Sequence, residues 1–201
     1  MDWVDRINRG ARRIPVWVVY LVALLPVPWL VYLGQTGGLG REPIKALEHE
    51  LGEIALLLLI AGLCVTPLRR YIGINLIKFR RALGLLSFIY VTLHLLVWLV
   101  LDVGILSLIW QDILKRPYIT IGMIAFVLMV PLALTSNNWS VRKLGSAWHR
   151  LHKLAYVAVV LGALHFIMVQ KVWEMDSLLY MGTILALLAL RLPKLRKMRA
   201  A

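Results

Sequence analysis

The sequence predicts an all-α integral membrane protein, a six-transmembrane helix bundle with both termini in the cytoplasm. Three observations lead there. Of the 201 residues, 61% are hydrophobic and only 16% charged, against roughly 25% charged in an ordinary soluble domain. Several apolar runs approach the length, about 20 residues, that carries a helix across a bilayer core of roughly 30 Å. The basic residues also fall almost entirely on alternate connections, as the positive-inside rule requires of a multi-pass chain.

Six spans are expected, at approximately 15–33, 46–66, 82–101, 117–134, 148–170 and 177–192, forming one domain over 1–201. The first opens at Pro15 and contains Pro26 and Pro28, which kink a membrane helix at lower cost than a soluble one. The second closes at Pro67, the fourth opens at Pro117, and the sixth closes at Pro193. The third follows the basic pair Arg80 and Arg81. The fifth is the apolar segment WHRLHKLAYVAVVLGALHFIMVQ. The segment before Pro15 is polar and basic, and no small-residue cleavage site follows the first span, so an uncleaved N-terminus is expected.

Eighteen of the 23 basic residues lie on one side: Arg6, Arg9, Arg12 and Arg13; the loop from Arg69 to Arg81; Arg142, Lys143, Arg150 and Lys153; and Arg191 with the tail. Arg41, Lys45, Lys115, Arg116 and Lys171 make up the other side. The net charge of +13 is thereby explained by topology and anionic membrane lipid, and no nucleic-acid partner is needed. Trp3, Trp17, Trp29, Trp110, Trp139, Trp148 and Trp173 stand near span ends, as interfacial belt residues do.

The functional candidates are histidines, because an ionisable ring in hydrocarbon is costly and marks a site by default. His94 in span three and His165 in span five both fall in the outer half of the membrane. They could ligate one metal centre from two helices, and a b-type haem iron needs two such imidazoles. Gly84, Ser87 and Val91 near His94, and Gly162 and Ala163 near His165, leave room for close packing or for a flat macrocycle. His152 lies about 20 Å from His165 along a helix, with a bearing roughly 140° away. Facing both inward needs a distortion, for which Gly162 is the candidate. Its position suits either a second, inner haem or an edge residue meeting lipid, flavin or propionate. The counterpart position on span three is Arg80, which stays protonated and does not readily ligate iron. His149 reads as interfacial. His49 reads as part of an outer polar cluster with Glu50 and Glu53, or as a ligand or propionate neighbour. Cys64 is the single cysteine, which rules out an internal disulfide and covalent C-x-x-C-H haem attachment.

Longer segments carry a resemblance. GGLGREPIKALEHELGEIAL, TPLRRY, RRALGLLSFIYVTLHLLVW, RPYITIGMIAF, TSNNWSVRKLGSAWHRLHKLAYVAVVLGALHFIMVQK and the basic tail cover nearly the whole chain. Together they resemble the MsrQ family, haem-binding membrane subunits of a bacterial periplasmic methionine sulfoxide reductase system within the ferric reductase-like transmembrane superfamily. The resemblance implies one or two haems b, with His94, His152 and His165 as iron ligands. It also implies an associated flavin mononucleotide (FMN), a bacterial inner-membrane location, and electron flow from a cytoplasmic flavin reductase or the quinone pool. The acceptor implied is a periplasmic molybdopterin subunit that repairs oxidised methionine. Larger relatives pair histidines on both spans three and five. Here Arg80 and Arg81 replace the expected inner histidine on span three.

The leading function is therefore transmembrane electron transfer through b-type haem, with no catalytic side chain of its own. His49, Arg80, Arg81 and Arg150 are cofactor-binding candidates beside the three ligands, since guanidinium forks pair with propionate or phosphate oxygens. No G-x-G-x-x-G nucleotide unit is present, so reducing equivalents come from a separate donor. The alternatives are a free-standing ferric or quinone-linked membrane cytochrome and, in another class, a histidine-lined metal transporter.

Overall fold

A computed structural model describes residues 3–170 and 174–191. Lys171, Trp173, Pro193 and the tail residues Lys194, Arg196, Lys197 and Arg199, which the sequence reading used, lie outside the described residues. The described residues form helices and connections, with no strand among them. Five helical segments are long and apolar enough to cross a membrane: Val16–Thr36, Pro43–Ile72, Ile77–Val103, Pro117–Leu134 and Ser146–Val169. The segment expected as the sixth span is an apolar helix of 15 residues, Met175–Ala189.

In chain order, α1 is Trp3–Arg13, and the first span is two helices, α2 (Val16–Leu24) and α3 (Pro26–Thr36). The break falls where the prolines place it: Pro26 has no N–H, and Leu25 N–H turns back to the Val22 carbonyl. Gly37, at φ 82°, ends α3 in the left-handed conformation that glycine tolerates best. α4 (Pro43–Pro67) and α5 (Arg80–Leu96) both end in widened π turns, Leu68–Ile72 and Val97–Val103. Both segments are consequently longer than the apolar runs alone indicate. α6 (Leu106–Lys115) is a short amphipathic helix, and α7 (Pro117–Leu134) matches the fourth expected span. After α8 (Asn138–Leu144), the fifth span is broken into α9 (Ser146–Leu151) and α10 (Leu154–Val169). The distortion anticipated near Gly162 lies instead at His152 and Lys153, and α10 runs unbroken through Gly162. α11 is Met175–Ala189.

α4, α5, α7 and α10 make the central bundle, with α4 packed most extensively on α5 and α7 on α10. α11 lies against α4 and α10, while α2 and α3 lie against α5 and α4 respectively. One buried cluster joins Leu30, Leu51, Ala55, Tyr90 and Val97, and another joins Leu56, Leu63, Val159, Ala163 and Ile184. Buried hydroxyls set the pairing of helices. Ser87, fully buried, donates to the Ala55 carbonyl at 2.8 Å, and Tyr90 donates to the Ala23 carbonyl at 2.5 Å. A buried polar group must find such a partner, because in hydrocarbon no water substitutes for it.

The basic segments grouped on one side by the sequence gather at one end of the bundle. Asn8 on α1 donates to the Gly73 carbonyl and accepts from Asn75 N–H. Lys78 donates to the carbonyls of Arg12 and Ile14, closing the end of α1. Arg81 donates to Asn138 Oδ1 at 2.8 Å, and Arg191 donates to the Tyr156 hydroxyl and the Leu63 carbonyl. Trp17, Trp29, Trp110 and Trp139 are all about 60% exposed near helix ends, in keeping with anchoring. Trp148 departs from that pattern, being half-buried with its indole N–H on the Thr135 carbonyl.

Replacing Tyr90 by Phe removes the bond between α5 and α2 while keeping the ring. The expected cost is about 1 kcal/mol of bundle stability, read as an earlier midpoint in a denaturing-detergent titration.

Candidate functional site

His94 sits near the end of α5, and His165 lies in the last turns of α10. The antiparallel bundle brings these two helix ends together, and the ring centroids stand 6.1 Å apart with planes inclined at 81°. Each ring is held the same way. Nδ1 of His94 is 2.8 Å from the Glu48 carbonyl on α4, and Nδ1 of His165 is 2.7 Å from the Tyr118 carbonyl on α7. A carbonyl only accepts, so each Nδ1 must carry a proton, and in the neutral imidazole Nε2 is then the bare lone pair. Among the described residues neither Nε2 has a hydrogen-bond partner. Fixing Nδ1–H on a main-chain carbonyl is how metal-ligating histidines are ordinarily oriented.

Both rings line a cavity of about 370 Å³, within the roughly 300–1,000 Å³ range of cofactor sites. Its wall is largely apolar, with Ala55, Val91, Ala125 and Ala158 from the four central helices, and Trp98 and Phe126 as larger members. Lys45, Glu48, Asp102 and Arg116 add charge to the lining. Lys45 is paired with Glu42 at 2.9 Å and Arg116 with Asp112 at 3.3 Å.

The residues fit a b-type haem on two counts. Metal–imidazole bonds are on the order of 2 Å; two imidazoles on opposite sides of one metal therefore hold their ring centres roughly 6 Å apart, the observed separation. A pair of imidazoles is also only an axial set. Among the described residues no group of three or more His, Cys, Asp or Glu side chains could hold a metal ion. A metal here needs its remaining positions filled by a ligand such as a porphyrin, and the apolar walls suit its faces.

Of the other site candidates, His49 also lines the cavity. Its Nδ1 is 3.9 Å from Glu53 Oε2, its ring packs on Phe166, and Glu53 in turn accepts from the Tyr180 hydroxyl at 2.6 Å. Of the expected polar cluster, His49 and Glu53 come together, and Glu53 joins α4 to α11, while Glu50 is exposed. His152, Arg80, Arg81 and Arg150 are at the other end of the bundle. Thr135, whose carbonyl and hydroxyl fix that end, stands about 25 Å by helix rise from Tyr118 along α7. Thr135 gives its hydroxyl proton to the Pro131 carbonyl at 2.6 Å, so its oxygen accepts Nε2–H from His152 at 3.0 Å. The Trp148 ring stacks on the other side of His152 at 3.8 Å. Any axial bond from His152 must therefore come from Nδ1. Arg80 and Arg81 lie close enough to His152 to act on it electrostatically, whereas Arg150 is exposed on α9.

Sequence reasoning did not single out Gly52, Gly122, Trp98, Phe126 or Lys45 and Arg116 as part of this site. The small residues it did name divide among tasks. Val91 and Gly162 line the cavity, Ser87 turns to α4, Ala163 packs in the core, and a Cβ on Gly84 would meet nothing within 4 Å. A signal was available for the two glycines, since glycine within an apolar helix weakens it and needs a local reason.

Residues 51–163 match the family model described as ferric reductase like transmembrane component. A heme-binding subunit of protein-methionine-sulfoxide reductase, MsrQ, from Brucella anthropi is 52% identical over 178 residues, covering 88% of this chain and 81% of the relative. The protein of the same description from Brucella ovis is 50% identical over 189 residues, covering 92% of this chain and 86% of the relative. No solved structure matches.

Proposed function

The chain belongs to the MsrQ family of ferric reductase-like transmembrane proteins, and on that footing we propose that it carries electrons across the bacterial inner membrane. A haem b held between His94 and His165 supplies a one-electron carrier. The observation that carries this reading is the pair of imidazoles 6.1 Å apart, each with Nδ1–H committed to a main-chain carbonyl and both lining one largely apolar cavity.

The chain's own residues do the positioning. The Glu48 and Tyr118 carbonyls hold the rings, and the apolar walls keep water from the metal and help set its potential. Lys45 and Arg116 at the charged part of the lining would pair with propionates, and His49 would stand beside them. The charge bias supports a topology with both termini and the His152 end in the cytoplasm, in which α11 would cross as a sixth span in one domain over 1–201. In that orientation His94 and His165 would hold a haem near the periplasmic face, where the expected acceptor is a periplasmic molybdopterin reductase subunit of the methionine sulfoxide reductase system.

At the cytoplasmic end, the proximity of Arg80 and Arg81 to His152 supports an entry point for electrons from a flavin reductase or the quinone pool. The guanidinium groups of Arg80, Arg81 and Arg150 would hold anionic oxygens there, those of FMN or of a second haem bound through His152.

Two outcomes are expected. In detergent-purified protein, His94→Ala and His165→Ala each remove the outer haem's signal from the reducible b-type spectrum, while His149→Ala keeps haem content near that of the parent; a full bis-histidine spectrum in both single variants rules out the pairing. In oriented vesicles with a cytoplasmic flavin reductase, stopped-flow measurement should show His152→Ala slowing reduction without altering the spectrum of the outer haem. Arg80→Ala should weaken retention of the anionic cofactor. Unaltered kinetics and cofactor content in both variants would remove the entry-site assignment.

A further inference from the structure

We infer that Gly52 and Gly122 are positioning residues for the two haem-ligating histidines, each a notch that lets an imidazole reach a helix carbonyl; the inference rests on the reading of His94 and His165 as ligands. In an α-helix the carbonyl of residue i already accepts from the N–H of residue i+4. Its second lone pair stays available to an outside donor. The side chain of residue i+4, however, is tilted toward the helix N-terminus and covers that carbonyl. The two carbonyls used here are those of Glu48 and Tyr118, and the residues four positions on are Gly52 and Gly122.

The space is taken by the rings themselves. A Cβ on Gly52 would lie 3.1 Å from Nδ1 and 3.4 Å from Cε1 of His94. A Cβ on Gly122 would lie 2.8 Å from Nδ1, 3.0 Å from Cε1 and 3.2 Å from Cγ of His165. The same device thus occurs twice, on α4 and on α7, against ligands from α5 and α10. Neither glycine has a positive φ, so backbone conformation does not require it. The contact does.

The consequence reaches the metal. An Nδ1–H bond to a carbonyl makes the imidazole a stronger electron donor through Nε2 and fixes its tautomer. Lengthening that bond weakens the ligand and favours the ferrous state, which raises the reduction potential. Alanine at Gly122 forces a shift of the ring, because 2.8 Å is closer than a Cβ approaches any atom. Alanine at Gly52 requires only a few tenths of an ångström, so its effect is smaller. Elsewhere in a helix the same change ordinarily favours the helix.

The test uses full-length protein in detergent, with hemin titrated into the apo form and the potential of the retained haem measured by spectroelectrochemistry. Gly122→Ala should bind hemin about 10- to 100-fold more weakly and show a raised potential; Gly52→Ala should move both readouts the same way by less. Gly182→Ala, on α11 where a Cβ would meet nothing within 4 Å, should match the parent. Far-UV circular dichroism reports folding, and if Gly122→Ala does not fold, the milder Gly52→Ala decides by its potential. Parental affinity and potential in Gly122→Ala overturns the inference, as does weakened binding with no shift in the potential of the haem retained. Haem loss in His165→Ala together with an unchanged Gly122→Ala defeats the notch alone. Haem retention in His165→Ala defeats the underlying ligand assignment.

Discussion

Two hydrogen bonds from imidazole to main chain, His94 to Glu48 and His165 to Tyr118, are the constraint on which the site depends. Each joins a histidine helix to a neighbouring helix, and each decides which ring nitrogen is left for a metal. Their value as stabilisers is small, since interhelical hydrogen bonds in membranes average about 0.6 kcal/mol. Their value for orientation is large. With Nδ1–H committed, the ring can present only Nε2 to a metal, and the bundle holds the two rings at the separation that one metal requires. The helix pairing is reinforced at a second level on each side. Ser87 bonds Ala55 in the same antiparallel register as His94 bonds Glu48, and Trp148 bonds Thr135 in the register of His165 and Tyr118.

Much of this was legible in the sequence because membrane helices are written in hydropathy. The span from Pro117 to Leu134 begins at its proline and is apolar throughout, and the sequence places it to the residue. His94 and His165 stand out because they are ionisable rings set within apolar runs, and the positive-inside pattern orients both helices so that their depths coincide. Other features depend on atoms that pattern does not describe. The break in the fifth span lies at His152 and Lys153, where Thr135 and Trp148 capture the imidazole. Composition pointed to Gly162, yet helix packing accommodates that glycine without distortion. Gly52 and Gly122 have meaning only once it is known which ring lies against which carbonyl. Lys45 and Arg116 were counted for topology, and only the fold shows them lining the cavity.

The two ends of the bundle differ in chemistry. One end holds neutral imidazoles in apolar surroundings, with mixed charge in the lining. The other has Arg80 and Arg81 near His152, whose Nε2–H is already given to Thr135. A symmetric bis-histidine pair at that end has no second imidazole on α5, and Arg80 cannot take its place. The arginines at that end and the geometry around His152 thus agree with the proposal of an anion-binding region there, distinct from the His94 and His165 pair.

The central claim, that His94 and His165 hold one haem iron between them through Nε2, is tested most directly by electron paramagnetic resonance of the oxidised protein. The rings stand 81° apart in plane, so a low-spin ferric signal with the strong anisotropy of near-perpendicular imidazoles is expected. A high-spin axial signal from five-coordinate iron would contradict it.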